Sequence, residues 1–159
     1  MIQRAQTLYL ALVALLLAIL FFLPLALAKI AVTGNEFIYQ VYLSHSQPII
    51  GEPVSGKGFI IRVFYASVLL LLAVITIFLY RKRSLQMKLI RFSIVLNILL
   101  GITVFFRLGS DFQHFYQTPA NISYEWASCL PVVTLILFNL AFRGVKKDEE
   151  LVRSADRLR

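Results

Sequence analysis

FLPLALAKIAVTG, Phe22 to Gly34, is the stretch on which the fold turns. It closes a long apolar run, and Ala26-Leu27-Ala28 has the small-residue spacing of a signal-peptidase site. The run is therefore either removed as a secretory signal or kept as a membrane span. A signal combines a basic start, an apolar stretch of about 7–15 residues and a small-residue site. Here only the side-chain charge of Arg4 precedes a stretch that stays uncharged from Thr7 to Ala28, beyond that range. Thr7, Ala11, Ala14 and Ala18 also recur at helical spacing, and such small-residue stripes let membrane helices approach closely. The reading is a retained first span, with Ala11, Ala14 and Ala18 as its packing face.

Three further blocks repeat the pattern. Val63 to Tyr80, Phe92 to Phe106 and Trp126 to Phe142 carry no charge, and uncharged runs approaching about 20 residues mark transmembrane helices. The third block is short, but arginines at both ends, Arg91 and Arg107, can snorkel outward and lengthen it. The chain is 59% hydrophobic and only 15% charged, against about 25% charged in soluble domains. The expected architecture is an all-α membrane protein. It has four transmembrane helices at about residues 7–28, 63–80, 90–107 and 125–142, an outer loop at 29–62 and a tail at 143–159.

The net charge of +8 first suggests nucleic acid, but its distribution gives a simpler cause. With the N-terminus inside, Arg4, the group from Arg81 to Arg91 and the tail place 12 of the 16 basic residues on the inner side, while the acids divide evenly. That is the positive-inside rule with both termini cytoplasmic. The expected partners are the lipid bilayer and another membrane protein, not nucleic acid.

In the outer loop, Ile30 to Thr33 and Phe37 to Leu43 are β-formers around Gly34-Asn35 and predict a small hairpin cap. The following QPIIGEPVSGKG reads as irregular loop because prolines and glycines interrupt it. Arg107 and Asp111, one turn apart, predict a helical extension into the second outer loop, ended by Pro119.

No charge lies inside a span in this reading, which weighs against a proton relay or ion-coupled pump. Ser93, Asn97 and Gly101 share a face of the third span, and Asn139 lies near the inner end of the fourth. Depths counted from Arg91 and Arg143 bring Asn97 and Asn139 to similar levels, so they are expected to bond and lock the two helices. Pro131 is expected to kink the fourth span. Cys129 is the only cysteine, which excludes an intrachain disulfide and a Cys-x-x-Cys redox pair. His45 and His114 stand on separate outer loops, and Asp111, His114 and Glu125 form only a weak metal candidate. No catalytic, cofactor or metal site is assigned.

The tail RGVKKDEELVRSADRLR reads as a helix, with Lys146–Glu150 and Glu149–Arg153 as i,i+4 pairs. Leu151, Ala155 and Leu158 share one face beside Arg153, Asp156 and Arg157. These six residues are the candidate partner-docking surface. The start Met1-Ile2-Gln3-Arg4 and the end from Lys147 to Arg159 resemble a family of small four-span bacterial inner-membrane proteins classified only as a domain of unknown function. The resemblance spans essentially the whole chain; it implies the topology and adds no mechanism. The leading functional reading is a non-enzymatic accessory or scaffold subunit of a membrane complex. The alternatives are a carrier or lipid-binding protein with a cavity near Ser93, Asn97 and Asn139, and a membrane enzyme using Asp111, His114 and Glu125.

Overall fold

The computed structural model describes residues 3–32, 35–50, 57–80, 82–116 and 120–157. The element order is α1 (Gln3–Leu20), β1 (Ala26–Val32), β2 (Asn35–Val41), β3 (Ser46–Ile50), α2 (Lys57–Phe78), α3 (Arg83–Tyr116), β4 (Asn121–Tyr124), a short 3-10 helix (Trp126–Cys129) and α4 (Leu130–Arg157). Helix dominates. Among the described residues, three helical segments are long and apolar enough to cross a membrane: Phe59–Phe78, Arg83–Asp111 and Trp126–Val152; Gln6–Leu20 is a shorter apolar helix. Such helices are compatible with a membrane protein.

Each helix buries one stripe. On α1 it is Gln6, Leu10, Val13, Leu17 and Leu20; on α2, Arg62, Ala66, Leu69, Ala73 and Thr76. On α3 it is Gln86, Ile90, Ser93, Asn97, Leu100 and Val104; on α4, Thr134, Phe138, Ala141, Val145 and Asp148. The steps alternate between three and four, the spacing that keeps one helical face on its neighbours. Helix α1 packs on α2 and α4, and α3 packs on the same two helices. The opposite faces are also apolar and stand exposed, including Leu8, Leu15, Phe64, Leu71, Phe92, Val95 and Ile136. A soluble protein rarely exposes so much contiguous apolar surface.

The opening stretch divides differently from the expectation. Helix α1 ends at Leu20, and its last turn tightens through Phe21 N–H to Ala18 O and Phe22 N–H to Ile19 O. Pro24 cannot continue the helical ladder. Ala26-Leu27-Ala28 then opens β1, so the first helix stops short of residue 28. Ala26, Ala28 and Ile30 point inward and are buried, while Lys29 and Ala31 point out, the period-two pattern of a half-buried strand.

The sheet is antiparallel in the order β3-β2-β1-β4. The expected hairpin is present, with β1 and β2 in register from Ala26 opposite Val41 to Val32 opposite Asn35. The turn positions 33–34 lie outside the described residues. Two strands correct the loop reading. Ser46–Ile50 pairs with β2, tolerating Pro48 because β3 is an edge strand. Asn121–Tyr124 pairs with β1 and ties the segment after α3 to the segment after α1. The inner face of the sheet closes a second core of Ala26, Ala28, Ile30, Tyr39 and Val41 over Phe59 and Leu108, at the adjoining ends of α2 and α3.

Helices α2 and α3 begin before their apolar blocks and α4 continues well past its own, so the expected limits of 63–80, 90–107 and 125–142 are shorter than the helices. Pro131 sits in the first turn of α4 rather than within it, where its missing N–H costs nothing. The expected kink is therefore a helix start.

Candidate functional site

Six of the buried polar residues, Gln6, Arg62, Gln86, Asn97, Thr134 and Asp148, form three clamps spaced along the helices. The first lies beneath the sheet. Because α2 starts at Lys57 and the sheet covers its end, Arg62 is fully buried inside an apolar segment and not in the outer loop. This corrects the expectation of charge-free spans. Arg62 Nη1 donates to Asp111 Oδ2 at 2.8 Å, and its guanidinium stacks 4.6 Å from the centre of the Phe59 ring. Asp111 thus turns to Arg62, 49 positions away, and not to Arg107 on its own helix. Nε and Nη2 of Arg62 have no partner among the described residues.

The second clamp joins α3 to α4. Asn97 Nδ2 donates to Pro131 O at 3.0 Å and to Thr134 Oγ1 at 3.1 Å. Thr134 Oγ1 donates to Pro131 O at 2.9 Å. Asn97 locks the expected helix pair, but through Thr134 and Pro131. Asn139 stands one residue beyond Phe138, about 100° round the helix from the buried stripe, and bonds to Leu135 O on the exposed face.

The third clamp is at the other end of the helices. Gln6 Nε2 donates to Asp148 Oδ2, which is buried. Arg83 Nη1 donates to the Asp148 carbonyl at 3.1 Å, and Gln86 Nε2 donates to Thr76 O at 3.2 Å. Gly144 makes the first of these contacts possible: a Cβ there would stand 2.9 Å from Gln6 Cγ. Beside this clamp is an open pocket of about 170 Å³ lined by Met87, Arg91, Lys146, Glu149 and Glu150.

The sheet carries a polar cluster of its own at the β2–β3 turn. His45 stacks on Tyr42 at 5.0 Å and lies 2.8 Å from Ser44 Oγ. Gln47 Nε2 lies 3.2 Å from His45 Nε2, so the ring is held between Ser44 and Gln47.

A family model described as a domain of unknown function (DUF4293) matches residues 2–158. The chain belongs to that family. No curated protein matches the chain. For a DUF4293 member, then, the residues themselves must supply the functional reading.

The sequence-derived residues fall into three groups. Ser93 and Asn97 are buried on the α3 stripe, Ser93 bonding back to Leu89 O. Ala14 packs at the edge of the core, Ala18 is half-buried and Ala11 is exposed, so the small stripe of α1 lies beside its buried face. Gly101 is half-buried with open space where a Cβ would stand. In the tail, Leu151 and its neighbour Val152 are exposed. Arg153, Ala155, Asp156 and Arg157 continue the helix, with side chains outside the described set; Leu158 lies outside the described residues. Lys146 and Glu150 form the expected pair at 3.7 Å. Asp111 is engaged by Arg62, and Glu125 precedes the 3-10 helix. The His114 side chain lies outside the described set. Cys129 is exposed at the end of the 3-10 helix, inside the apolar segment Trp126–Val152. Gly144, Thr134 and Arg62 were missed, because each acts through a helix distant in sequence.

Proposed function

We propose that this DUF4293 protein is a four-span integral membrane protein of the bacterial cytoplasmic membrane, acting as a non-enzymatic accessory or scaffold subunit. Helix α1 has 18 residues, about 27 Å of length, close to the roughly 30 Å hydrocarbon core. Its placement against α2 and α4 supports reading it as the fourth span. Both termini are then cytoplasmic and the sheet is an outer cap.

The observation that carries the scaffold reading is the use of Asn97. Its amide is consumed in tying α3 to α4 at Pro131 and Thr134. Ser93 is bonded to its own helix and Asn139 faces away, so the three residues that would line a carrier cavity do not converge. Polar interior groups used as helix locks suit a rigid platform.

The platform would meet its partner through the last turns of α4. Gly144 and Asp148 are engaged by α1 and α3, whereas Leu151 and Val152 are exposed beyond them. Affinity purification from native membranes, comparing the full chain with one ending at Glu150, tests this reading. A co-purifying membrane protein lost on truncation supports it. An unchanged set of co-purifying proteins refutes tail docking, and stoichiometric retention of a small lipophilic ligand would favour the carrier.

A further inference from the structure

We propose that the pocket between the tail-side ends of α3 and α4 holds the headgroup of a zwitterionic phospholipid bearing a primary amine, of the phosphoethanolamine type. This rests on the membrane reading above and adds a ligand to it. The lining is Met87 and Arg91 from α3, and Lys146, Glu149 and Glu150 from α4. Two cations and two carboxylates cancel, so the site matches a neutral zwitterion better than a simple anion, which the two glutamates would repel.

The order of the charges along the helices is the decisive feature. Arg91 lies against Phe142, the last residue of the apolar block, with its guanidinium 5.1 Å from the ring centre. Lys146 is one turn further along α4, about 6 Å past Phe142. The polar layer of a bilayer extends about 5–8 Å beyond the hydrocarbon on each side. The cations are therefore at the depth of lipid phosphates. Glu149 and Glu150 are a further turn out, about 10–12 Å past Phe142, towards bulk water. A phospholipid of this class presents its groups in the same sequence, with phosphate next to the glycerol and ammonium beyond it.

The geometry also separates headgroups. Stacking on Phe142 leaves the edge of the Arg91 guanidinium as a fork for phosphate oxygens. The Lys146–Glu150 pair is loose at 3.7 Å and exposed, so an incoming phosphate and ammonium can replace each partner without leaving a buried charge. A primary ammonium brings three N–H donors to the two carboxylates; a quaternary ammonium brings none and is bulkier. The volume of about 170 Å³ equals about six waters at their liquid share, room for a small headgroup.

The test uses the purified, delipidated full-length protein. It is offered equal amounts of phosphatidylethanolamine, phosphatidylcholine and phosphatidylglycerol with identical acyl chains, and bound lipid is read by native mass spectrometry. The expected result is about tenfold more phosphatidylethanolamine than either competitor, the worth of one strong charge-assisted contact. Glu149→Gln with Glu150→Gln should erase the preference over phosphatidylcholine and raise phosphatidylglycerol. Arg91→Gln with Lys146→Gln should lower binding of all three lipids. Equal retention of the three lipids by the wild-type protein overturns the proposal, as does a preference that survives the double glutamate substitution. Free phosphoethanolamine binding as tightly as the lipid would overturn the assignment to membrane lipid. Flotation with vesicles of each composition separates the two readings. Flotation without headgroup preference defeats this proposal alone, and failure to float with any vesicle defeats the membrane reading as well.

Discussion

Removing Asp111 should damage the protein far more than removing Arg62, although the two form one ion pair. Arg62 is wholly buried, while the Asp111 side chain keeps 19% of its exposure. Asp111→Ala strands a buried guanidinium that already has two nitrogens without partners. Losing one partner of a buried pair costs about 3–5 kcal/mol. Arg62→Met removes the charge that needed burying and retains its bulk against Phe59 and the sheet. It leaves a carboxylate that water can reach, so its cost should be at or below the low end of about 1–3 kcal/mol for an unsatisfied polar group. At about 2–4 °C per kcal/mol for a chain of this size, Asp111→Ala should lower Tm by about 6–20 °C. The double variant Arg62→Met/Asp111→Ala should recover most of that loss. Thermal unfolding in detergent micelles or lipid nanodiscs reads all three. Equal losses from the two single variants, or a double variant that loses their sum, would refute the argument from unequal burial.

Other expectations follow from the remaining clamps. Gly144→Ala places a methyl 2.9 Å from Gln6 Cγ and displaces the Gln6–Asp148 contact; overpacking of this kind costs about 1–3 kcal/mol, read as a lowered Tm. Asn97→Leu should cost about 0.6 kcal/mol, the average for an interhelical hydrogen bond in a membrane, while Asn139→Leu on the exposed face should leave Tm unchanged. Intact-mass measurement of protein purified from membranes should find the first helix retained. Cleavage after Ala28 would cut β1 between two of its paired positions, so a species starting at Lys29 would contradict the sheet.

Where the sequence was legible, a long-range pattern spoke for itself. The apolar blocks of α2, α3 and α4, the β1–β2 hairpin and the helical tail each rest on periodicity or on turn chemistry within one segment. The end of α1 was not legible, because a continuous apolar run serves a membrane helix and a buried strand equally well. ALAKIAV alternates only weakly, and its alanines fit either state. The strand β4 has four residues and acquires its identity from pairing with β1. Depth counted from flanking charges set Asn97 level with Asn139, but Asn97 meets α4 at Thr134, about 7.5 Å away along the helix, and Asn139 is on the exposed face besides. The Arg62–Asp111 pair and the Gly144–Gln6 approach depend on helices distant in sequence. No local pattern encodes either contact.

The four-span arrangement is tested most directly by the sidedness of four positions. Single cysteines at Gln3, Ser44, Ser84 and Ser154, in a Cys129→Ser background, are exposed to a membrane-impermeant maleimide in intact cells and again after the cells are opened. The account predicts labelling of Ser44→Cys in intact cells, and labelling of Gln3→Cys, Ser84→Cys and Ser154→Cys only after opening. Labelling of Gln3→Cys together with Ser44→Cys in intact cells would place α1 wholly outside the hydrocarbon core and contradict it.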